Sequence, residues 1–140
     1  MPQKNEYEKL QKNRHQQECA PQPDKYGDHS KSKTSEISIQ VDLNENNLPI
    51  EMKWNAEDSK IRDSIASAFF LSIWDPKQKN TMKIDLWTKD MSVEEMKQFF
   101  HQSLLSMADT FEKATGENLI CEDLRDYCYH FAEKMKILPK

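Results

Sequence analysis

The residues best suited to chemistry in this sequence are two cysteines near its C-terminus. Cys121 and Cys128 are seven residues apart, a spacing that places both thiols on one face of a helix. A thiol buried on such a face behaves as a small apolar group, and its pKa rises. His130 lies about 200° round the helix from Cys128, so the two side chains do not converge on one zinc ion. With Cys19 the cysteines are odd in number, and we expect free core thiols in a reducing compartment.

His101 is a second candidate, since it could act as a base together with Asp109, two helical turns further along the chain. A histidine at the boundary of the core, bonded to backbone or solvent, is the commoner situation and needs no catalysis. The only two glycines, Gly27 and Gly116, are too far apart to form a phosphate-binding loop. The sequence therefore predicts no catalytic, cofactor-binding or metal site, and we expect a protein that is not an enzyme.

The 140 residues are enough for one domain, and the polar residues are concentrated before Thr34. Residues 1–33 contain few large apolar side chains and are interrupted by Pro21, Pro23 and Gly27. Such a stretch cannot bury enough surface to offset the entropy lost on ordering. We expect a disordered polar tail over residues 1–33 and a single domain over residues 34–140.

Charge and hydropathy narrow the class of partner. The tail carries seven Lys and Arg against five Asp and Glu, which leaves the domain with 13 against 19, a net charge of −6. An acidic domain repels polyphosphate, so nucleic acid is not an expected partner. No run approaches the ~18 apolar residues that span a bilayer, and the N-terminus lacks the apolar region of a secretory signal. We expect a cytoplasmic protein without direct membrane insertion.

Alternation of apolar and polar residues predicts two β-hairpins. In the first, Val41 lies opposite Met52, and the same register sets Ile39 against Trp54 and Leu43 against Ile50. In the second, a turn at residues 75–80 joins two strands whose opposed apolar pairs are Phe69 with Leu86, Leu71 with Ile84 and Ile73 with Met82. We expect these six side chains to face the helices. Between the hairpins, Ile61 and Ile65 are four apart, and Asn55 to Ser67 is interpreted as a loop with one or two helical turns.

Two helices complete the predicted domain. Ser92 and Glu95 form a capping box at the start of the first, and Gly116 suits a left-handed C-cap at its end. Its expected core stripe is Val93, Met96, Phe100, Leu104, Met107, Phe111 and Ala114. The stripe of the second is Cys121, Leu124, Cys128, Phe131 and Met135. The order of elements predicts an α+β fold, a four-stranded antiparallel sheet followed by two C-terminal helices that pack on one face.

The second hairpin also predicts a partner-binding surface. If its apolar pairs face the helices, alternation turns Phe70, Trp74 and Trp87 to the back of the sheet. Each of these side chains can bury ~150 to 250 Å², and a large exposed apolar patch usually marks an interface. The alternative is that the segment from Asn55 to Ser67 folds over this face and covers it. Both interpretations remain open at the level of sequence.

Three segments carry a dense match to a known family: 83–91 (KIDLWTKDM), 94–102 (EEMKQFFHQ) and 106–111 (SMADTF). Through them the sequence resembles the gliding-motility GldC family of Bacteroidetes. The resemblance extends from about Lys33 to the C-terminus through segments 33–37, 42–54, 71–75, 123–126 and 131–134. The polar N-terminus departs from the family pattern, and is expected to be a lineage-specific tail or the product of an upstream start codon.

The resemblance implies a cytoplasmic protein associated with gliding over surfaces, and it brings no catalytic motif. Together with the aromatic back face, it favours an interaction protein that binds partners of the gliding apparatus or associates with itself as an oligomer. The alternative is a chaperone-like holdase that shields apolar segments of envelope or motility proteins.

Overall fold

The computed structural model describes residues 32–138, which form five strands followed by two helices. The strands are β1 (Ile37–Leu43), β2 (Pro49–Ala56), β3 (Ile61–Ala66), β4 (Ala68–Asp75) and β5 (Asn80–Trp87). The helices are α1 (Val93–Thr115) and α2 (Asn118–Met135). This composition confirms the predicted α+β class.

Two units are distinguished in the chain, and the boundary between them lies after Ser35. The four described residues of the first unit, 32–35, lie in neither helix nor strand. The disorder expected over residues 1–33 falls almost entirely outside the described residues, so it stays a prediction. All seven elements belong to the second unit.

The first three strands form one antiparallel sheet in the order β1-β2-β3. The predicted pairs Val41 with Met52 and Ile39 with Trp54 are confirmed. The predicted pairing of Leu43 with Ile50 is wrong, because the register shifts after Asp42 and places Leu43 opposite Pro49. The cause lies in the turn, where the Asn44 side chain accepts hydrogen bonds from the backbone N–H groups of residues 46 and 48.

The segment after β2 was expected to be a loop with helical turns, and that prediction is wrong. Residues 61–66 form β3, which pairs antiparallel with β2. Ala56 pairs with Ile61, and Trp54 pairs with Ser64. Between these two pairs β2 has one residue, whereas β3 has two. The strand accommodates the extra residue as a bulge, with Asp63 at a positive φ of 47°.

This bulge explains why the sequence pattern was misleading. Opposed residues share a face, so Ile61 lies on the face of Ala56, whereas Ile65 lies on the face of Lys53. Residues 53 and 56 are an odd number apart, and the two isoleucines therefore point to opposite sides. The side-chain oxygen of Asn55 accepts a hydrogen bond from the Asp63 N–H at 2.9 Å and stabilises the bulge.

The last two strands form a separate two-stranded sheet, β4-β5, in place of the single four-stranded sheet that was predicted. Its register is the predicted one, with Phe69 opposite Leu86 and Ile73 opposite Met82. At the base of the hairpin the Thr88 N–H donates to the Ser67 carbonyl at 2.8 Å, and the Lys89 N–H donates to the carbonyl of Pro49 in the first sheet at 3.0 Å.

Both ends of α1 follow the predicted capping chemistry. The Glu95 N–H donates to the Ser92 hydroxyl at 3.1 Å, while the Glu95 carboxylate accepts from the Ser92 N–H at 3.0 Å. Gly116 ends the helix at a φ of 72°, the left-handed conformation that glycine adopts without a steric cost.

The core of the described residues is small. Its fully or nearly buried apolar side chains are Met52, Ala56, Ala108, Cys121, Cys128 and Ala132. The α2 stripe is confirmed, since Cys121 and Cys128 are fully buried within it. The core stripe predicted for α1 is wrong for most of its residues. Those that are exposed are Val93, Phe100, Met107, Phe111 and Ala114. The helical period identifies an apolar face, but it does not say what that face contacts.

Candidate partner-binding surface

Phe70 faces α1 and holds the β4–β5 hairpin against that helix. Its ring centroid lies 4.7 Å from that of Phe99 and 5.0 Å from that of Phe100, the second pair meeting edge to face. The expectation that the opposite face of the hairpin would meet the helices is therefore wrong. Alternation separates the two faces of a hairpin, but it carries no information on which face a later helix will cover.

Trp74 and Trp87 lie on the same face as Phe70 by alternation and register, and both are exposed, to 60% and 53%. Trp87 also borders an apolar cavity of about 220 Å³ together with Leu48 and Pro49. Of the three residues predicted to bind a partner, one contacts α1 and two are open to solvent. Their role in binding stays a prediction.

The alternative interpretation, in which the segment from Asn55 to Ser67 covers the face of Phe70, is wrong. The segment from Asn55 to Ser67 contributes the end of β2, a turn and β3, and it pairs within the first sheet. Phe70 is covered by α1 instead.

The opposite side of the hairpin, here called the outer face, is apolar except beside the turn, where Asp75 lies opposite Asn80. Its apolar part consists of the three opposed pairs Phe69 with Leu86, Leu71 with Ile84 and Ile73 with Met82. Ile73, Met82 and Ile84 are each more than half exposed. Sequence reasoning found this set of residues but assigned it to the core, so it missed the face as a candidate surface.

A groove of about 700 Å³ runs between β4 and α1. The residues that line it include Phe70, Phe99, Ser103 and Ser106. Successive residues of β4, from both of its faces, line the groove, so it follows the edge of that strand. Among the described residues β5 is the one strand paired with β4, which leaves the other edge to accept an extended peptide.

His101 and Asp109, the candidate acid–base pair, have separate partners in the structure. The His101 ring stacks on Phe131 with the centroids 6.4 Å apart. Asp109 accepts a hydrogen bond from the Arg125 guanidinium at 2.8 Å, and Glu112 accepts another at 2.8 Å. These two hydrogen bonds raise the pKa of Arg125 above its ordinary value, so it remains a cation that links α1 to α2.

The two cysteines are free, buried thiols, as the sequence predicted. Burial raises the pKa of both, and the nearby carboxylate of Glu112 raises that of Cys121 further. A raised pKa lowers the fraction of thiolate, which is the nucleophilic form. Within residues 32–138 no three His, Cys, Asp or Glu side chains come together as a metal site would require.

Comparison with known proteins relates the chain to one family. The profile of the family described as "Gliding motility-associated protein GldC-like" matches residues 49–137, which is more than half of the chain. No curated protein and no solved structure matches it. In the described part of the chain, neither helix is long and apolar enough to cross a bilayer.

Proposed function

Since the chain belongs to the GldC-like family of gliding motility-associated proteins, we propose that it is a cytoplasmic, non-enzymatic binding protein of the motility apparatus. Its β4–β5 hairpin carries the surface that binds a protein partner. The free thiols of Cys121 and Cys128 support a reducing compartment. Their raised pKa values, and the engagement of His101 and Asp109 by other side chains, support a role without catalysis.

The observation that carries this proposal is the exposure of large apolar side chains on both sides of one hairpin. Trp74 and Trp87 together expose about 200 Å², given ~150 to 250 Å² for an aromatic side chain. The three exposed aliphatic residues of the outer face add to that area. Tryptophan is enriched at interface hot spots because it combines a large apolar body with one hydrogen-bond donor.

The groove beside β4 indicates the form of the partner segment. An extended peptide that lies along the free edge of β4 gains backbone hydrogen bonds, and its alternate side chains enter the groove. Phe70 and Phe99 supply apolar contacts there, while Ser103 and Ser106 supply hydroxyl groups for hydrogen bonds. A partner strand of apolar and small polar residues fits this lining.

The test is the double substitution Trp74→Ala with Trp87→Ala, introduced at the native locus of the host. Gliding, measured as colony spreading, should fall strongly, and a crosslinked partner protein should be lost from the purified complex. The melting temperature and the far-ultraviolet circular dichroism spectrum should stay near those of the wild type, because both side chains are exposed.

The matched control is Tyr127→Ala with Tyr129→Ala, which removes two comparably exposed aromatic residues from α2. This control should glide like the wild type. Undiminished spreading and an unchanged complex in the tryptophan variant would show that the hairpin is not the binding surface.

A holdase is the second candidate function, and the outer face favours it. Three opposed pairs on that face are apolar, and Met82 can adapt its shape to different apolar segments. If the protein is a holdase, it should suppress the aggregation of several unrelated unfolded proteins at stoichiometric ratios. Ile73→Ser with Ile84→Ser should abolish that effect, and selectivity for one partner would count against this function.

A further inference from the structure

Helix α1 contacts the rest of the domain on two of its sides. On one side, Ala108 is fully buried, and Asp109 binds Arg125 of α2. On another side, Phe99 and Phe100 contact Phe70 of the hairpin. A third side of the helix borders the hairpin contact, and its apolar residues are partly open to solvent. It includes Phe100, which also contacts Phe70, and Met107, which also lines the groove beside β4.

This third side is here called the α1 stripe, and it consists of Val93, Phe100, Met107 and Phe111. Three of these residues are spaced by seven, and Phe111 follows Met107 by four, which keeps all four side chains within a narrow sector of the helix. They are 71%, 42%, 63% and 43% exposed. A sector with this spacing is typical of a helix that packs along a second helix.

We propose that the α1 stripe is the contact through which two copies of this chain associate, with their α1 helices antiparallel about a two-fold axis. This inference deepens the proposed function and rests on it, because both treat the chain as a binding protein. The first partner of the chain is then a second copy of itself.

The small core requires a permanent partner. Three of the six buried apolar residues are alanines, and Met52 is the largest. Ordering a residue costs about 1–2 kcal/mol of backbone entropy, which has to be offset mainly by apolar burial. A transient ligand is absent for part of the protein's lifetime, whereas a second copy is present wherever the chain is made.

The area of the stripe fits a two-fold interface. Its two phenylalanines expose about 160 Å², and Val93 with Met107 adds roughly 150 Å². A standard interface buries ~800 Å² per partner, of which ~450–500 Å² is apolar. The stripe supplies about two thirds of that apolar area, and the half-buried side chains of Met96 and Leu104 beside it can supply the rest.

Charge decides between the two directions in which the helices could pair. Lys97, four residues from Val93, is the charged residue beside the stripe, and it forms an ion pair with Glu94 at 2.9 Å. In a parallel pair, the two Lys97 side chains would meet each other. In an antiparallel pair, each lies near the C-terminal end of the other α1, where the helix dipole favours a cation.

The antiparallel arrangement also predicts a register. Val93 and Ala114 mark the two ends of the apolar face, so a two-fold axis midway between them passes beside Leu104. That axis sets Phe100 of one copy opposite Met107 of the other. A thioether against an aromatic ring is a favourable contact.

The mass of the full-length protein in solution tests the association. Light scattering coupled to size-exclusion chromatography, at tens of micromolar, should give twice the chain mass of 16.6 kDa. Phe100→Glu with Met107→Glu should give a single chain mass. The control Leu119→Glu with Tyr127→Glu changes two exposed residues of α2 and should remain a dimer. A wild-type protein that runs as a monomer would overturn the inference.

Disulfide trapping tests the geometry even if the glutamate variant does not fold. In a Cys19→Ser background, Leu104→Cys should form a covalent dimer under mild oxidation, because the two positions meet at the axis. Val93→Cys should not, because the two positions lie at opposite ends. A covalent dimer from Val93→Cys, or none from Leu104→Cys, would contradict the antiparallel pair.

The two proposals fail separately. A monomeric wild-type chain whose gliding still depends on Trp74 and Trp87 would remove self-association and leave the proposed function intact. If the chain is a dimer and the host glides normally with Trp74→Ala and Trp87→Ala, the inference holds. The hairpin is then excluded as the partner-binding surface.

Discussion

At the scale of single residues, the Arg125 side chain links the two helices through hydrogen bonds. It lies on α2 and donates one hydrogen bond to Asp109 and one to Glu112, both on α1. The guanidinium is about one-third exposed, so solvent weakens the attraction without cancelling it. Two carboxylates and a cationic residue on two helices would suggest ordinary surface charges in the sequence, and only the folded pair of helices brings them together.

Arg125→Met should lower the free energy of unfolding of the domain, because it keeps the aliphatic stem but removes two charge-assisted hydrogen bonds. The measurement is the free energy of unfolding in urea, which should show a smaller difference between the two proteins at high salt. Lys83→Met, which removes an exposed ion pair with Asp85 within β5, is the control and should change stability by less than about 0.5 kcal/mol. Equal effects of the two substitutions would mean that Arg125 makes no special contribution.

The buried thiols give the stability of the domain a dependence on pH. The folded-state pKa of Cys121 and Cys128 is raised, so the folded protein holds these protons above the ordinary thiol pKa of about 8.5, where the unfolded chain releases them. The stability that the two thiols contribute is therefore complete below the ordinary thiol pKa. It is lost as the pH rises through the folded-state pKa. The free energy of unfolding, measured in urea from pH 7 to pH 10, should fall above about pH 8.5. In the variant Cys121→Ala with Cys128→Ala, the free energy of unfolding should fall less steeply with pH. An identical slope would exclude the thiols as the cause.

At the scale of elements, the ends of α1 are set by local chemistry. Ser92 and Glu95 satisfy each other's backbone N–H groups at its start. Gly116 reverses the chain at its end, and a Cβ added there would meet no atom within 4 Å. The cost of a side chain at this position is therefore purely one of backbone conformation.

Gly116→Ala should destabilise the domain by about 1–2 kcal/mol, because alanine adopts a φ near 72° only with strain. Gly116→Asn should cost less, since asparagine tolerates the left-handed conformation. Thermal unfolding followed by circular dichroism would rank the two variants. If alanine is tolerated as well as asparagine, the helix ends elsewhere in solution.

At the scale of the whole molecule, the balance between burial and exposure decides the behaviour of the chain. Six apolar side chains are buried among the described residues, while apolar side chains on the hairpin and on α1 are exposed. Folding and association should therefore be coupled, since part of the stabilising surface lies between copies.

The melting temperature of the wild-type protein should rise with protein concentration, because association binds the folded state and not the unfolded one. Phe100→Glu with Met107→Glu should melt lower than the wild type, and independently of concentration. Differential scanning calorimetry over a hundredfold range of concentration would measure both. A wild-type melting temperature that does not change with concentration would contradict the coupling.

The sequence by itself determined the features that depend on neighbours along the chain. The register of the β4–β5 hairpin, the capping box at Ser92, the C-cap at Gly116 and the buried pair of cysteines follow from spacing and residue type. The pairing of Leu43 and the existence of β3 were not predicted. The turn before β2 and the bulge in β3 each shift the alternation by one residue.

Only the tertiary structure decided which apolar face each element buries. Period and alternation define the faces of α1 and of the hairpin, but two apolar faces are available on each element, and α1 covers Phe70 rather than the outer face. That choice depends on contacts between residues far apart in sequence, which no local pattern records. It also leaves the outer face and the α1 stripe exposed, and these are the surfaces on which the proposed interactions depend.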